Sequence, residues 1–259
     1  RLWPSLGAVQ VALLTNAFLT AAMVYLFYQL VIVLGFQPPT AAVGALALGL
    51  ATPLWPYART LFSESVATFG LCLALLGTFR YGVALRTREA VGPLLTVSAG
   101  LAILVLARST NGILAAPILV YLAYVRWQHR PRVRLWPAPG ALMALALPLA
   151  GAVLLTVAYN YVRFHTLITF PLEPFELTGL LISPGKGLLW YMPVMLLAIF
   201  AVREWRRSGH LADYLVATAL FLLTVLFYAK WYDWTGGRAW GPRMIVITIP
   251  ALLVLCLPM

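Results

Sequence analysis

Long apolar runs, separated by short connectors, leave this chain few ways to fold. Within the runs, apolar side chains follow one another without the alternation of a half-buried strand or the one-sided stripe of a surface helix. Such runs belong in lipid, as helices that satisfy their own backbone groups. The short alternating segments of a membrane β-barrel are missing from the sequence. Composition agrees. Hydrophobic residues make up 63% of the chain and charged residues 10%, with mean hydropathy +0.92, where a soluble domain carries roughly a quarter charged residues. The expected fold is therefore all-α, one polytopic transmembrane helical bundle over residues 1–259.

A span needs about 20 apolar residues, fewer where aromatics mark its ends. The candidates, about nine in all, run near Val9–Gly35, Thr40–Pro56, Leu61–Phe79, Val91–Ala107, Gly112–Val125, Ala138–Tyr159, Gly187–Val202, Leu211–Tyr228 and Met244–Leu257. The two flanking Arg108–Asn111 also read as a bent or re-entrant pair. Arg1 is not a start residue, and an apolar run leads into Pro258-Met259, so the chain is expected to be a piece of a longer protein.

The connectors fall into two alternating sets. One carries Arg80, Arg86 and Arg88, then Arg126, Arg130, Arg132 and Arg134, then Arg203, Arg206 and Arg207. These plain basic connectors are expected on the cytoplasmic side. The other set is then extracytoplasmic: Trp55–Ser65, Arg108–Asn111, Tyr161–Lys186 and Lys230–Arg243. It too holds cations at span ends, namely Arg59, Arg108, Arg163, Lys186, Lys230, Arg238 and Arg243. They meet either lipid headgroups or an anionic ligand. Tryptophans favour the same side. Trp3, Trp55, Trp190, Trp231, Trp234 and Trp240 fall there, against Trp127, Trp136 and Trp205 opposite, whereas simple interfacial anchoring populates both faces. The net charge of +11 points, in so apolar a chain, to topology and anionic lipid, and no nucleic acid is expected as a partner. Cys72 and Cys256 lie within apolar runs and suggest neither a disulfide nor a metal site.

Four loops of the second set are candidate site loops. In Trp55–Ser65, Pro56 ends a helix and Ser63 caps the next. Glu64 then falls in the first turn of a span, either as a dipole-capping carboxylate or as a ligand contact paired with Arg59. Arg108 is a phosphate contact or a side chain snorkelling to the interface. The segment 160–187 holds Arg163, His165, Glu173 and Glu176, with Pro171 and Pro174 as helix breakers. It ends in Ser183-Pro184-Gly185-Lys186-Gly187, a turn of free backbone N–H groups with one lysine, suited to an anion. The last loop, Lys230–Arg243, combines Trp231, Trp234 and Trp240 with turns at Gly236-Gly237 and Gly241-Pro242. Its Asp233 is a general base or, at least as readily, a structural side chain that holds the turn or pairs with Arg238.

These loops carry a resemblance. Tyr57–Ser65, Ser183–Gly187 and, most specifically, the Trp-x-x-Trp-x-Gly-Gly-x-x-x-Gly-Pro-Arg pattern from Trp231 to Arg243 resemble the polyprenyl-phosphate-sugar-dependent glycosyltransferases of the GT-C superfamily. The resemblance is in particular to the bacterial relatives of protein O-mannosyltransferase and aminoarabinose transferase. The resemblance implies an enzyme of the bacterial inner membrane that moves a sugar from a polyprenyl-phosphate donor to a glycan, lipid or protein acceptor on the extracytoplasmic face. It implies donor-phosphate contacts at Arg59, Arg108, Lys186, Arg238 and Arg243, since guanidinium and ammonium groups stabilise a phosphate leaving group. Sugar and lipid contacts would come from Trp55, Tyr57, Trp231, Trp234 and Trp240, and Asp233, Gly236, Gly237, Gly241 and Pro242 would shape the loop. The family's acidic base lies in a first extracytoplasmic loop that has no counterpart here, so the chain is expected to start after the first span and that loop. Glu64 takes the place of a secondary carboxylate. No metal ligand and no cofactor are expected. The competing readings are a non-catalytic GT-C-like subunit of a larger membrane complex and a lipid or polysaccharide transporter, which would place polar residues deep in its spans. Asn16 is one of few such residues.

Overall fold

The computed structural model describes residues 3–87, 90–130, 137–167 and 175–258. The expectations placed on Arg88, Arg132, Arg134, Trp136, Pro171, Glu173 and Pro174, and on the Trp3 and Arg86 side chains, lie outside the described residues.

The described residues are helical throughout, with no strand among them. Helix α1 (Trp3–Val33) leads through a turn at Gly35 to α2 (Pro38–Leu50) and a single turn, α3 (Leu54–Tyr57). Next come α4 (Glu64–Thr87) and α5 (Val91–Ala107), then a 3-10 segment (Ser109–Leu114) running into α6 (Ala115–Gln128). α7 (Pro139–Phe164) is followed by the short α8 (Leu177–Ile182) and α9 (Leu188–Tyr191). A 3-10 turn (Pro193–Leu196) opens α10 (Leu197–Arg207), and α11 (Leu211–Tyr228) precedes the loop that ends in a 3-10 segment (Arg243–Thr248) and α12 (Ile249–Cys256).

Among the described residues, four segments are long and apolar enough to cross a membrane by themselves: Gly7–Val33, Glu64–Leu85, Pro139–Phe164 and Leu211–Tyr228. Pro38–Leu50, Val91–Ala107 and Arg243–Cys256 are apolar but shorter. This is the make-up of a helical integral membrane protein. The expected run Gly187–Val202 is not one helix: it breaks at Met192, and Pro193, which has no N–H to donate, starts a new turn.

The connectors gather at two ends. At one end, Phe36 packs edge-on against Trp205, whose Nε1 donates to the Leu255 carbonyl at 3.1 Å, and Arg126 bonds the Tyr81 hydroxyl. This is the arginine-rich end. The four candidate site loops meet at the other.

Packing follows membrane rules. α12 is buried from Ile249 to Leu255, as a helix apolar on every side must be. α4 and α5 approach closely through glycines: a Cβ on Gly100 would stand 2.4 Å from the Ala74 backbone nitrogen, and one on Gly70 2.9 Å from the Gly100 carbonyl. Pro148 interrupts the hydrogen bonding of α7, and Ser98 of α5 repairs the gap. Its hydroxyl donates to the Leu145 carbonyl at 2.6 Å and accepts from the Leu149 N–H at 3.1 Å. α7 otherwise exposes Leu154, Leu155 and Val162, as a lipid-facing helix does.

Candidate functional site

Glu64 is the centre of the site. It opens α4, so its carboxylate meets the positive end of the helix, and it is only 3% exposed. Its Oε1 accepts from Arg108 Nη2 at 2.9 Å and from Arg243 Nε at 2.6 Å. The expected partner, Arg59, does not reach it. Arg59 is exposed and lies over the Trp55 ring, 4.7 Å from its centroid.

Two guanidiniums on one carboxylate leave the trio with a net charge of +1. Each arginine is fixed further. Arg108 Nη1 donates to Met244 Sδ at 3.1 Å and to the Tyr228 hydroxyl at 3.5 Å, and that hydroxyl also bonds Thr110 and Asn111. Arg243 lies 4.1 Å over the Phe62 ring and donates to the Gly236 carbonyl at 3.4 Å. Glu64 Oε2 has no hydrogen-bond partner among the described residues and borders a small void of about 10 Å³ between Arg108, Asn111 and Arg243.

The loops around the trio are tied to one another. Asn16, halfway along α1, donates from Nδ2 to the carbonyls of Thr60 at 2.6 Å and Phe62 at 2.9 Å. The hydroxyl of Ser65 binds the Tyr57 carbonyl at 3.2 Å, and the Tyr57 hydroxyl donates to the Trp240 carbonyl at 2.6 Å. Lys186 Nζ donates to the carbonyls of Gly237 and Ala239. Burial pushes the Lys186 ammonium below the usual lysine range, and Arg243 adds to this while Asp233 opposes it.

The Lys230–Arg243 loop takes its shape from Gly236, Gly237 and Gly241, with φ of 68°, 67° and 61°. A Cβ on Gly236 would come within 3.0 Å of the Arg243 side chain, so this glycine also makes room for the cation. Pro242 precedes the turn that delivers Arg243. Asp233 Oδ1 accepts from the Thr235 hydroxyl at 2.7 Å and the Gly237 N–H at 3.2 Å, and so holds the turn itself. Arg238 is exposed at the loop tip.

The aromatics divide. Trp240 packs edge-on against Tyr191 with centroids 4.6 Å apart, and together with Trp55 and Pro56 they line an open cleft of about 430 Å³. Trp231 packs on Phe227 and Tyr228, and Trp234 lies against Gly179, where a Cβ would meet its ring at 2.4 Å. Those two brace the loop. Sequence reasoning left Tyr228, Thr110, Asn111, Met244 and Tyr191 without roles. The only signal available was that each lies at or beside the end of an apolar run. The structure therefore joins Glu64, Arg108 and Arg243 directly and sets Lys186 on the adjoining loop. Arg59 stands apart, at the aromatic cleft.

Among the described residues, no cluster of three or more His, Cys, Asp or Glu could hold a metal. No family model, no curated protein and no solved structure matches the chain.

Proposed function

We propose that the chain is the membrane domain of a GT-C-type glycosyltransferase that takes its sugar from a polyprenyl-phosphate donor at the extracytoplasmic face of a bacterial inner membrane. The observation that carries this reading is the net-positive trio of Arg108, Glu64 and Arg243 beside an aromatic cleft, at the loop-rich end of an apolar bundle. The phosphate would lie against the outward edges of the two guanidiniums, with Lys186 on the adjoining loop. The sugar or the isoprenoid would lie along Trp55, Tyr191 and Trp240, near Arg59. In transfer, an acceptor oxygen bonds the anomeric carbon as that carbon's bond to the phosphate oxygen breaks. The freed phosphate keeps the electron pair, and the cations stabilise it. The acceptor's proton must go to a base. Glu64, clamped by two arginines, is a positioning residue in this scheme.

The alternative of a non-catalytic subunit draws on one observation. Glu64 Oε1 is held by two guanidiniums and Asp233 Oδ1 by the turn of its own loop, so each carboxylate already has a structural role. One experiment separates the readings. The purified protein is titrated with polyprenyl phosphate by tryptophan fluorescence, then given a lipid-linked pentose or hexose with envelope acceptors. Arg243→Gln and Arg108→Gln are expected to weaken binding at least about tenfold, the value of one charge-assisted contact. Binding with transfer supports the enzyme, and binding without transfer supports the subunit. Failure to bind, or unchanged binding in both variants, would overturn the site.

A further inference from the structure

The Glu64 carboxylate is held through one oxygen only. Oε1 takes both guanidiniums, from Arg108 Nη2 at 2.9 Å and from Arg243 Nε at 2.6 Å. Oε2, on a side chain only 4% exposed, has no donor among the described residues. Leaving a buried carboxylate oxygen without a donor is costly, and such atoms are satisfied by protein or by bound water. The void that Oε2 borders has Ser63, Ala67, Arg108, Asn111, Arg243 and Met244 in its wall.

Three properties of this void decide what can fill it. Its volume, about 10 Å³, is the lower bound for a single water and too small for a sugar or a lipid headgroup. Its charges exclude ions, since the two guanidiniums repel a cation and the carboxylate oxygen repels an anion. Its wall supplies further hydrogen bonds, and a buried water makes about two to four of them. Asn111 Nδ2 gives one hydrogen to the Leu104 carbonyl at 3.2 Å, and a side-chain amide nitrogen carries a second. Ser63 brings a hydroxyl, which can donate or accept.

We propose that the void holds one structural water, which donates to Glu64 Oε2 and accepts from Asn111 Nδ2 or the Ser63 hydroxyl. Both carboxylate oxygens are then engaged, and the plane of Glu64 is fixed. Asn111 accepts from the Tyr228 hydroxyl, which also bonds Thr110 and Arg108. The water thus joins Glu64 to the bonds that steady one of its two arginines. The site stands whether or not the chain binds a lipid phosphate or transfers sugar.

The test is an experimental structure of the full chain in lipid nanodiscs, without added ligand, at a resolution that shows ordered water. A compact peak is expected about 2.5–3.2 Å from Oε2 and from a second polar atom of the wall. Oε2 bonded directly to a protein side chain, a void without a peak, or a peak that changes with the buffer salt would each overturn the proposal. Unfolding temperature gives a second reading, through two substitutions of equal shape on the wall. Ala67→Thr puts a hydroxyl in the water's place, and Ala67→Val puts only methyl groups there. The peak should vanish in both. Ala67→Thr should unfold at least about 2–4 °C above Ala67→Val, the value of one hydrogen bond in a chain of this size. Equal unfolding temperatures, or a peak that persists in Ala67→Val, would overturn the proposal too. The peak in the unaltered protein is read even if neither variant folds.

Discussion

Glu64 and Asp213 are both buried, 3% and 8% exposed, one at each end of the bundle, and their partners differ in kind. Glu64 is shared by Arg108 and Arg243, side chains that stay charged at any working pH. Asp213 takes a hydrogen bond from the Tyr121 hydroxyl and pairs through Oδ2 with His210 Nδ1 at 2.6 Å. His210 caps the N-terminus of α11, Asp213 lies in that helix's first turn, and Tyr121 comes from α6. The Asp213 cluster joins neighbouring helices by hydrogen bonds. The Glu64 cluster draws together three segments from distant parts of the chain, and it keeps a surplus positive charge that the Asp213 cluster has no fixed cation to match. A surplus charge held at the loop-rich end of an apolar bundle suits an anion, and a hydrogen-bonded brace suits stability alone.

That contrast can be broken most directly at the carboxylates. Glu64→Ala leaves two guanidiniums close together without their counterion and is expected to cost about 3–5 kcal/mol. Asp213→Ala, which strips two hydrogen bonds, is expected to cost about 1–3 kcal/mol. Denaturant unfolding in detergent measures both, and equal losses would erase the distinction. A smaller effect comes from the arginines. Arg108→Gln or Arg243→Gln alone leaves Glu64 one partner. The double substitution should therefore depart from the sum of the two by about 0.5–3 kcal/mol, and strict additivity would show that the arginines do not share the carboxylate. The smallest effect concerns Lys186, one of two lysines in the chain with Lys230. Its depressed pKa means that with rising pH it loses its proton before an ordinary lysine does. Competitive amine labelling should show Lys186 reacting at the lower pH, and a midpoint at the ordinary lysine value would contradict the burial assigned to it.

Much of this could be read from residue order. Glycines at 236, 237 and 241 in a short loop between apolar runs announced an unusual backbone, and positive φ at all three is what they supply. The alternation of connectors announced two ends. Pairing was not legible. Glu64 and Arg59 are close in sequence, so local spacing favoured that pair, but Arg59 found an aromatic face and the buried carboxylate took cations 44 and 179 residues away. Asn16 read as a polar residue stranded in a span, because its acceptors, the carbonyls of Thr60 and Phe62, are backbone groups that any sequence would offer. Span length reads less directly. Segments such as Val91–Ala107 and Arg243–Cys256 are short of a full crossing by themselves, and their apolar character answers to burial against neighbours as much as to lipid.

The glycine contact between α4 and α5 has a consequence for how the protein is made. Gly70 and Gly100 draw the two arms of one helical hairpin together near the ends that carry Glu64 and Arg108. That hairpin is complete in the nascent chain long before Arg243, which follows Arg108 by 135 residues (243 − 108). During synthesis a glutamate and an arginine can therefore enter the bilayer as a neutral couple, on one insertion unit. The second arginine arrives later and turns a neutral couple into a cationic site only when the segment that carries it packs against α4.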